Sequence, residues 1–261
     1  MDLTAVKAFL GEHLNTREAV EHAASVAGVS TATMYRYKSN PEGISLGVLA
    51  RLSKELGLPL TDGAAWTRSD ILGSERRRLA LENTTARLPN GKRLTTLPAY
   101  TVNDELPEVT RSLLKSDYGT QAPVLEVDVL EIRAHRAGLY QSGRYASWEI
   151  WSASGFGDFA AGKGRYSVLP EALRAAQIEV FKATTLQPDK HRYFYDGSDL
   201  PMFGCYLPSG TALVRVDDIH VEFQDVSLVA SFEETFNSLL ERCFTKTNDE
   251  FLGYLSNFGR A

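Results

Sequence analysis

Residues 28–40 read GVSTATMYRYKSN, and the side chains in this stretch are spaced for two sides of one helix. At about 3.6 residues per turn, Thr31, Ala32, Tyr35, Arg36 and Ser39 fall on one side and Lys38 near the end, while Met34 and Tyr37 fall on the other. A guanidinium presents a planar fork of donors that fits a guanine edge or a phosphate, and a methyl suits the thymine methyl. Hydroxyls and an ammonium hold phosphates. This is chemistry for reading a patterned polyanion, and no bond-breaking group stands among these residues. A second basic run, Arg76-Arg77-Arg78, offers further phosphate contacts along the chain.

Such a face needs elements to hold it. Ala24 is a small residue at the middle of a preceding helix, where a second helix must approach closely, and Gly28, four positions on, tolerates the positive φ of a tight turn. Val29 can plug the core beneath the turn, and Ser30 can cap the next helix. Thr16 and Ser45 are caps of the same kind; Asn40-Pro41-Glu42-Gly43 breaks the chain; Gly57 and Pro59 close the last helix. Apolar residues recur at spacings of three and four in Ala5, Phe9 and Leu10, in Ala19, Ala23, Ala24 and Val26, and in Leu46, Leu49, Ala50, Leu52 and Leu56. These signals predict an all-α bundle of about five helices over residues 1–62.

Those residues resemble the Cro and lambda-repressor-type helix-turn-helix family, also called the XRE family. The likeness is carried by A-x-x-x-G-V-S at Ala24 to Ser30, by Pro41 in the following loop, and by L-x-x-L-A-R-L-S-K-E-L-G-L from Leu46 to Leu58. Val20 and Glu21 stand where the family often has a glutamine that braces the recognition helix. The resemblance implies double-stranded DNA as partner, with Ser30, Thr31, Ala32, Tyr35, Arg36, Lys38 and Ser39 at the interface, and a homodimer on an inverted-repeat operator, most often as a repressor.

The chain has 261 residues, enough for two domains, with 43% apolar and 23% charged residues, an ordinary globular composition. Its net charge of −5 argues against coating nucleic acid at random, and the charge is uneven. Residues 1–62 hold six Lys/Arg against seven Asp/Glu, residues 63–93 hold seven against three, and the remainder is acidic. The N-terminus lacks the order of a signal peptide and no apolar run reaches a membrane span, so a cytoplasmic protein without membrane contact is expected. Cys205 and Cys243 form neither a disulfide framework nor a metal-binding pattern.

Residues 63–98 read as a basic connector, with SDILGSERRRLALENTTARL capable of forming a helix and the Asn-Gly of LPNGKRL a hairpin signal. Residues 99–261 are expected to form a larger α/β or α+β domain. VLEVDVLEIRAH, ASWEIWSAS, IEVFKATTL, ALVRVDD and IHVEFQD read as strands; LPEALRAA reads as a short helix and VSLVASFEETFNSLLERCFTKT as a long one. Its segments from SWEIWSASGFGDFAAGKG onward are loosely similar to phospholipase-D-like domains, but the His-x-Lys of active members is missing: His135, His191 and His220 are followed two residues on by Ala137, Tyr193 and Glu222. The stretch GSDLPMFGCYLPSGT has a faint likeness to self-cleaving repressors, yet the next lysine after Ser198 is Lys246, beyond the long helix. Gly155-Phe156-Gly157 and Gly162-Lys163-Gly164 match no phosphate-binding fingerprint and read as turns. Trp148, Trp151, Phe156, Phe159 and Tyr166 read as core. The expectation is a regulator without catalytic residues, metal or cofactor, whose second domain dimerises or senses a small-molecule or protein effector. A DNA-tethered enzyme and a protein-binding adaptor are the alternatives.

Overall fold

A computed structural model describes residues 3–58, 64–68, 71–216 and 219–258. The expected boundary at 62/63 and Pro59 lie outside the described residues. In chain order the elements are helices α1 (Leu3–His13), α2 (Arg17–Ala27), α3 (Thr31–Ser39) and α4 (Leu46–Leu56), strand β1 (Ala64–Arg68), α5 (Ile71–Arg87), β2 (Lys92–Leu97), α6 (Pro107–Tyr118), α7 (Ala122–Gln141), β3 (Ala146–Ser152), α8 (Ala153–Ala160), α9 (Glu171–Thr185), β4 (Lys190–Tyr195), β5 (Phe203–Leu207), β6 (Thr211–Val216), β7 (Ile219–Phe223), α10 (Val226–Arg242) and α11 (Asn248–Leu255). They form two compact units. One takes Met1–Ser69 and Leu213–Asp225, the other Asp70–Ala212 and Val226–Ala261.

In the first unit the polar punctuation sets the helices. Thr16 Oγ1 accepts from the Ala19 N–H, Ser30 Oγ from Thr33 and Ser45 Oγ from Val48, at 3.1, 3.1 and 3.4 Å, so each cap satisfies a donor that its first turn leaves over. Gly28, at φ 65°, ends α2 in the left-handed conformation, and Gly57, at φ 76°, ends α4 the same way. Val6, Leu10, Leu14, Val20, Ala23, Met34, Leu49 and Leu52 are buried around one small core. The expectation of a purely helical N-terminal domain is corrected here. Among the described residues of this unit, four α-helices and a 3₁₀ turn at Pro41–Gly43 are joined by β1, which pairs antiparallel with β7 from Ala64↔Phe223 to Arg68↔Ile219. A strand of five residues is too short to show alternation, and its partner lies far along the chain.

The second unit is a mixed α/β layer. Its strands lie in the order β5-β2-β3-β4, with β2, β3 and β4 parallel and β5 antiparallel to β2. Parallel neighbours require crossovers, supplied by α6 and α7 between β2 and β3 and by α8 and α9 between β3 and β4. Phe232 and Phe236 of α10 pack on Phe203 of β5. The main apolar cluster gathers Trp151, Phe156, Phe159, Phe181, Phe194 and Phe251. The outer edge of β4 is occupied: Asn248 Oδ1 accepts from the Arg192 N–H at 3.1 Å and Thr245 Oγ1 from the Phe194 N–H at 2.7 Å, leaving no open ladder there.

Four readings of the sequence fail in this unit. VLEVDVLEIRAH lies in α7, where Val129, Ile132, Arg136 and Tyr140 point inward at helical spacing while Val124 and Val127 are 79% and 69% exposed. The apparent alternation was two surface valines set among core positions. IEVFKATTL completes α9, with Ile178, Phe181, Thr184 and Thr185 inward. The Asn-Gly pair turns α5 into β2, with Asn90 at φ 55°, and β2 pairs with distant strands, so no hairpin forms. Gly155 and Gly157, read as a turn, lie within α8 instead; a Cβ at Gly155 would stand 1.7 Å from the Pro98 carbonyl oxygen.

Between the sheet and its helices runs an open chain of buried charges. Glu105 pairs with Arg133, Arg133 with Glu75, Glu75 with Arg136, Arg136 with Glu82, Glu82 with Arg93, Arg93 with Glu149, Glu149 with Arg192 and Arg192 with Asp104, which adjoins Glu105 in the chain. Acid and base alternate throughout, so each charge taken out of water has counter-charges on hand. Burial opposes the charge on Glu75, but Arg136 and Arg133 outweigh it and hold that carboxyl down to about 2.

Candidate nucleic-acid interface

The recognition segment of the sequence is a helix, α3, anchored from below. Met34 and Tyr37 are buried, and the opposite side leaves Ala32, Tyr35, Arg36 and Ser39 exposed, Tyr35 at 46%. Ser30 is exposed at the N-cap and its hydroxyl also meets Thr33 Oγ1 at 2.9 Å. Thr31 is half-buried. Ser39 Oγ donates to the Tyr35 carbonyl at 3.1 Å. The Arg36 guanidinium lies 5.8 Å from the Tyr37 ring centroid, a cation–π arrangement that leaves its donors for other partners.

Two basic side chains of this unit point inward. Lys38 donates through Nζ to the Leu14 carbonyl at the end of α1, and Arg51 donates through Nε to the Ala27 carbonyl at the end of α2, at 3.0 Å. Both meet the negative end of a helix dipole. Arg51 thus fastens α4 beneath the turn that aims α3. No local pattern announces a contact between residues so far apart in sequence.

The Arg76-Arg77-Arg78 run belongs to the second unit and lies on α5. Arg76 is exposed and pairs with Asp128 at 3.2 Å; Arg77 and Arg78 are half-buried. Burial, then the neighbouring Arg136, lowers the Arg78 pKa from its ordinary value. The run therefore does not present three equivalent charges to solvent, because a helix sends successive residues in different directions.

Missing from the sequence-derived set is Arg17. Its Nε donates to Glu21 Oε1 at 2.7 Å on the exposed side of α2. The hydrogen bond to Glu21 raises the Arg17 pKa above its ordinary value. The i,i+4 spacing of Arg17 and Glu21 is the sequence signal that would have drawn attention to it.

No family model matches the sequence. No curated protein matches it either. Among solved structures, that of TrmBL2, described as an archaeal chromatin protein with a novel mode of DNA binding, is similar at 14% identity and a TM-score of 0.35, over 82% of this chain and 63% of that one. This chain thus spans less than two thirds of TrmBL2. A likeness of that size leaves fold and activity to be argued from the residues themselves. The resemblance to Cro and lambda-repressor-type proteins rests on the motif residues and on the caps and burial that realise them. Among the described residues, no helix is long and apolar enough to cross a membrane.

Proposed function

We propose that this chain is a sequence-specific DNA-binding regulator that reads an operator with α3. The observation that carries the reading is the division of α3 into an anchored side, Met34 and Tyr37, and an open side, Ala32, Tyr35 and Arg36, on a helix whose N-terminus is capped by Ser30 after a left-handed glycine. A helix held in this way can enter a major groove with its exposed side against base edges. Arg36 then takes guanine or a phosphate, and Ala32 and Thr31 meet a thymine methyl or base edges. Ser30, Ser39 and the two remaining N–H donors of Lys38 hold the backbone, while Arg76 exchanges Asp128 for a phosphate.

A single reader of this size covers few base pairs, so the working form is a homodimer on an inverted repeat, repressing by occlusion. The second unit serves dimerisation or the sensing of a small-molecule or protein effector, without catalysis. Selection of fragments bound by the full chain tests this. An enriched inverted repeat is the expected result, and recovery of random fragments alone at modest salt would sink it.

A further inference from the structure

We propose that Arg51 is a positioning residue for sequence discrimination, its guanidinium fixing the angle at which α3 leaves the turn; this rests on the DNA-reading role of α3.

The turn fastens itself only in part. The Gly28 N–H donates to the Ser25 carbonyl at 3.1 Å and the Val29 N–H to the Ala24 carbonyl at 3.0 Å, so backbone donors satisfy two of the carbonyls that the end of α2 leaves over. The Ala27 carbonyl takes its donor from another helix, Arg51 Nε of α4 at 3.0 Å. The same guanidinium flanks the hinge, since a Cβ on Gly28 would stand 3.9 Å from Arg51 Nη2. Arg51 has a firm base: Val48, Leu49 and Leu52 of α4 are buried in the small core. One side chain thus ties the two residues at which the chain changes direction to a helix packed in that core.

The consequence for reading is one of leverage. α3 starts just beyond this turn and has nine residues, a lever of about 13 Å at about 1.5 Å per residue. A change of about 10° at the turn moves its far end, where Arg36 and Ser39 lie, by about 2 Å. Hydrogen bonds to base edges fail over such a distance. Phosphate contacts, which are made by charge along a regular backbone, tolerate it. The Arg51 contact therefore bears on the choice of sequence and little on affinity for DNA in general.

The test measures binding of wild type, Arg51→Met and Arg51→Lys to a selected operator and to a random duplex between about 50 and 200 mM salt, below the unfolding transition of each protein. Arg51→Met keeps the apolar stem and removes the donors. Arg51→Lys keeps the charge, but its compact ammonium lacks the planar fork that spans Ala27 and the hinge. Arg51→Met should lose at least about 5-fold in operator affinity, the lower end of what one base contact contributes, with random-duplex affinity and salt slope as in wild type. Arg51→Lys should fall between the two. Should Arg51→Met be unfolded at the assay temperature, Arg51→Lys carries the same comparison. An unchanged ratio of operator to random affinity overturns the inference. So does equal weakening on both duplexes with a salt slope shallower by about one, which would make Arg51 a phosphate contact. Wild type that prefers no selected duplex overturns the DNA-reading role itself.

Discussion

Arg136 grips Glu82 with one edge of its guanidinium, Nε to Oε2 and Nη2 to Oε1, at 3.0 Å each and out of reach of solvent. Glu82 also accepts from Arg93 Nη1 at 2.8 Å, so one carboxylate from α5 ties α7 to β2. Burial opposes the charge on Glu82, but Arg136 and Arg93 outweigh that and lower its pKa. Glu82→Gln keeps the shape and takes from each of two buried guanidinium groups one of its two counter-charges, leaving Arg136 with Glu75 and Arg93 with Glu149. The expected loss is about 3–5 kcal/mol of unfolding free energy in urea, and a loss below about 1 kcal/mol would show that water or rearrangement reaches these charges.

Lys190 gives the same region a pH dependence. Its Nζ donates to the Tyr140 carbonyl and lies 3.6 Å from the Tyr140 ring centroid, while burial, then Arg93, lowers its pKa from 10.5 to about 8. With the folded value below the unfolded one, the unfolded chain binds more protons between those limits, so the Lys190 contribution to stability improves as pH rises from about 8 toward 10.5. Below about 8 the full penalty of a buried ammonium applies. In denaturation series across this window, Lys190→Met should lack the rise seen in wild type. Parallel curves would show that Lys190 titrates normally.

The turn that aims α3 should be sensitive to small changes. Ser30→Ala removes the acceptor for the Thr33 N–H and should cost about 1 kcal/mol of stability. Gly28→Ala adds a Cβ at φ 65° and should cost about 1–2 kcal/mol. Thermal unfolding monitored on the first unit's transition checks both, and an unshifted midpoint in each would refute this account of the turn.

Arg36→Ala removes an exposed side chain from α3 and should leave unfolding within about 0.5 kcal/mol of wild type. Binding to a selected operator should weaken by the roughly 1–3 kcal/mol of a good base contact. Equal mobility shifts for both proteins would remove Arg36 from the interface.

Burial pushes the Cys205 thiol up to about 12 and the Cys243 thiol up to about 11, so neither supplies thiolate near neutral pH. Iodoacetamide should label both on unfolding and neither in the native protein. Native labelling at either would show that its packing opens.

Where short-range rules act, the amino-acid order was enough. Thr16, Ser30 and Ser45 cap the helices they precede, Gly28 and Gly57 take left-handed turns, and Met34 and Tyr37 face inward, because caps, glycine turns and a helical period involve residues only a few positions apart. The α3 face was legible for the same reason. Packing between distant segments settled the rest. Val124 and Val127 counted toward a strand until α7 turned them to solvent, and β1 is a strand because β7 pairs with it. Lys38 was read as a surface cation and is turned inward by a carbonyl at the end of α1, and Arg51, which carried no reading of its own, is held by a carbonyl at the end of α2. The chain of charges from Glu105 to Asp104 has no local signature at all, since its charges come from helices and strands that only the folded second unit brings together.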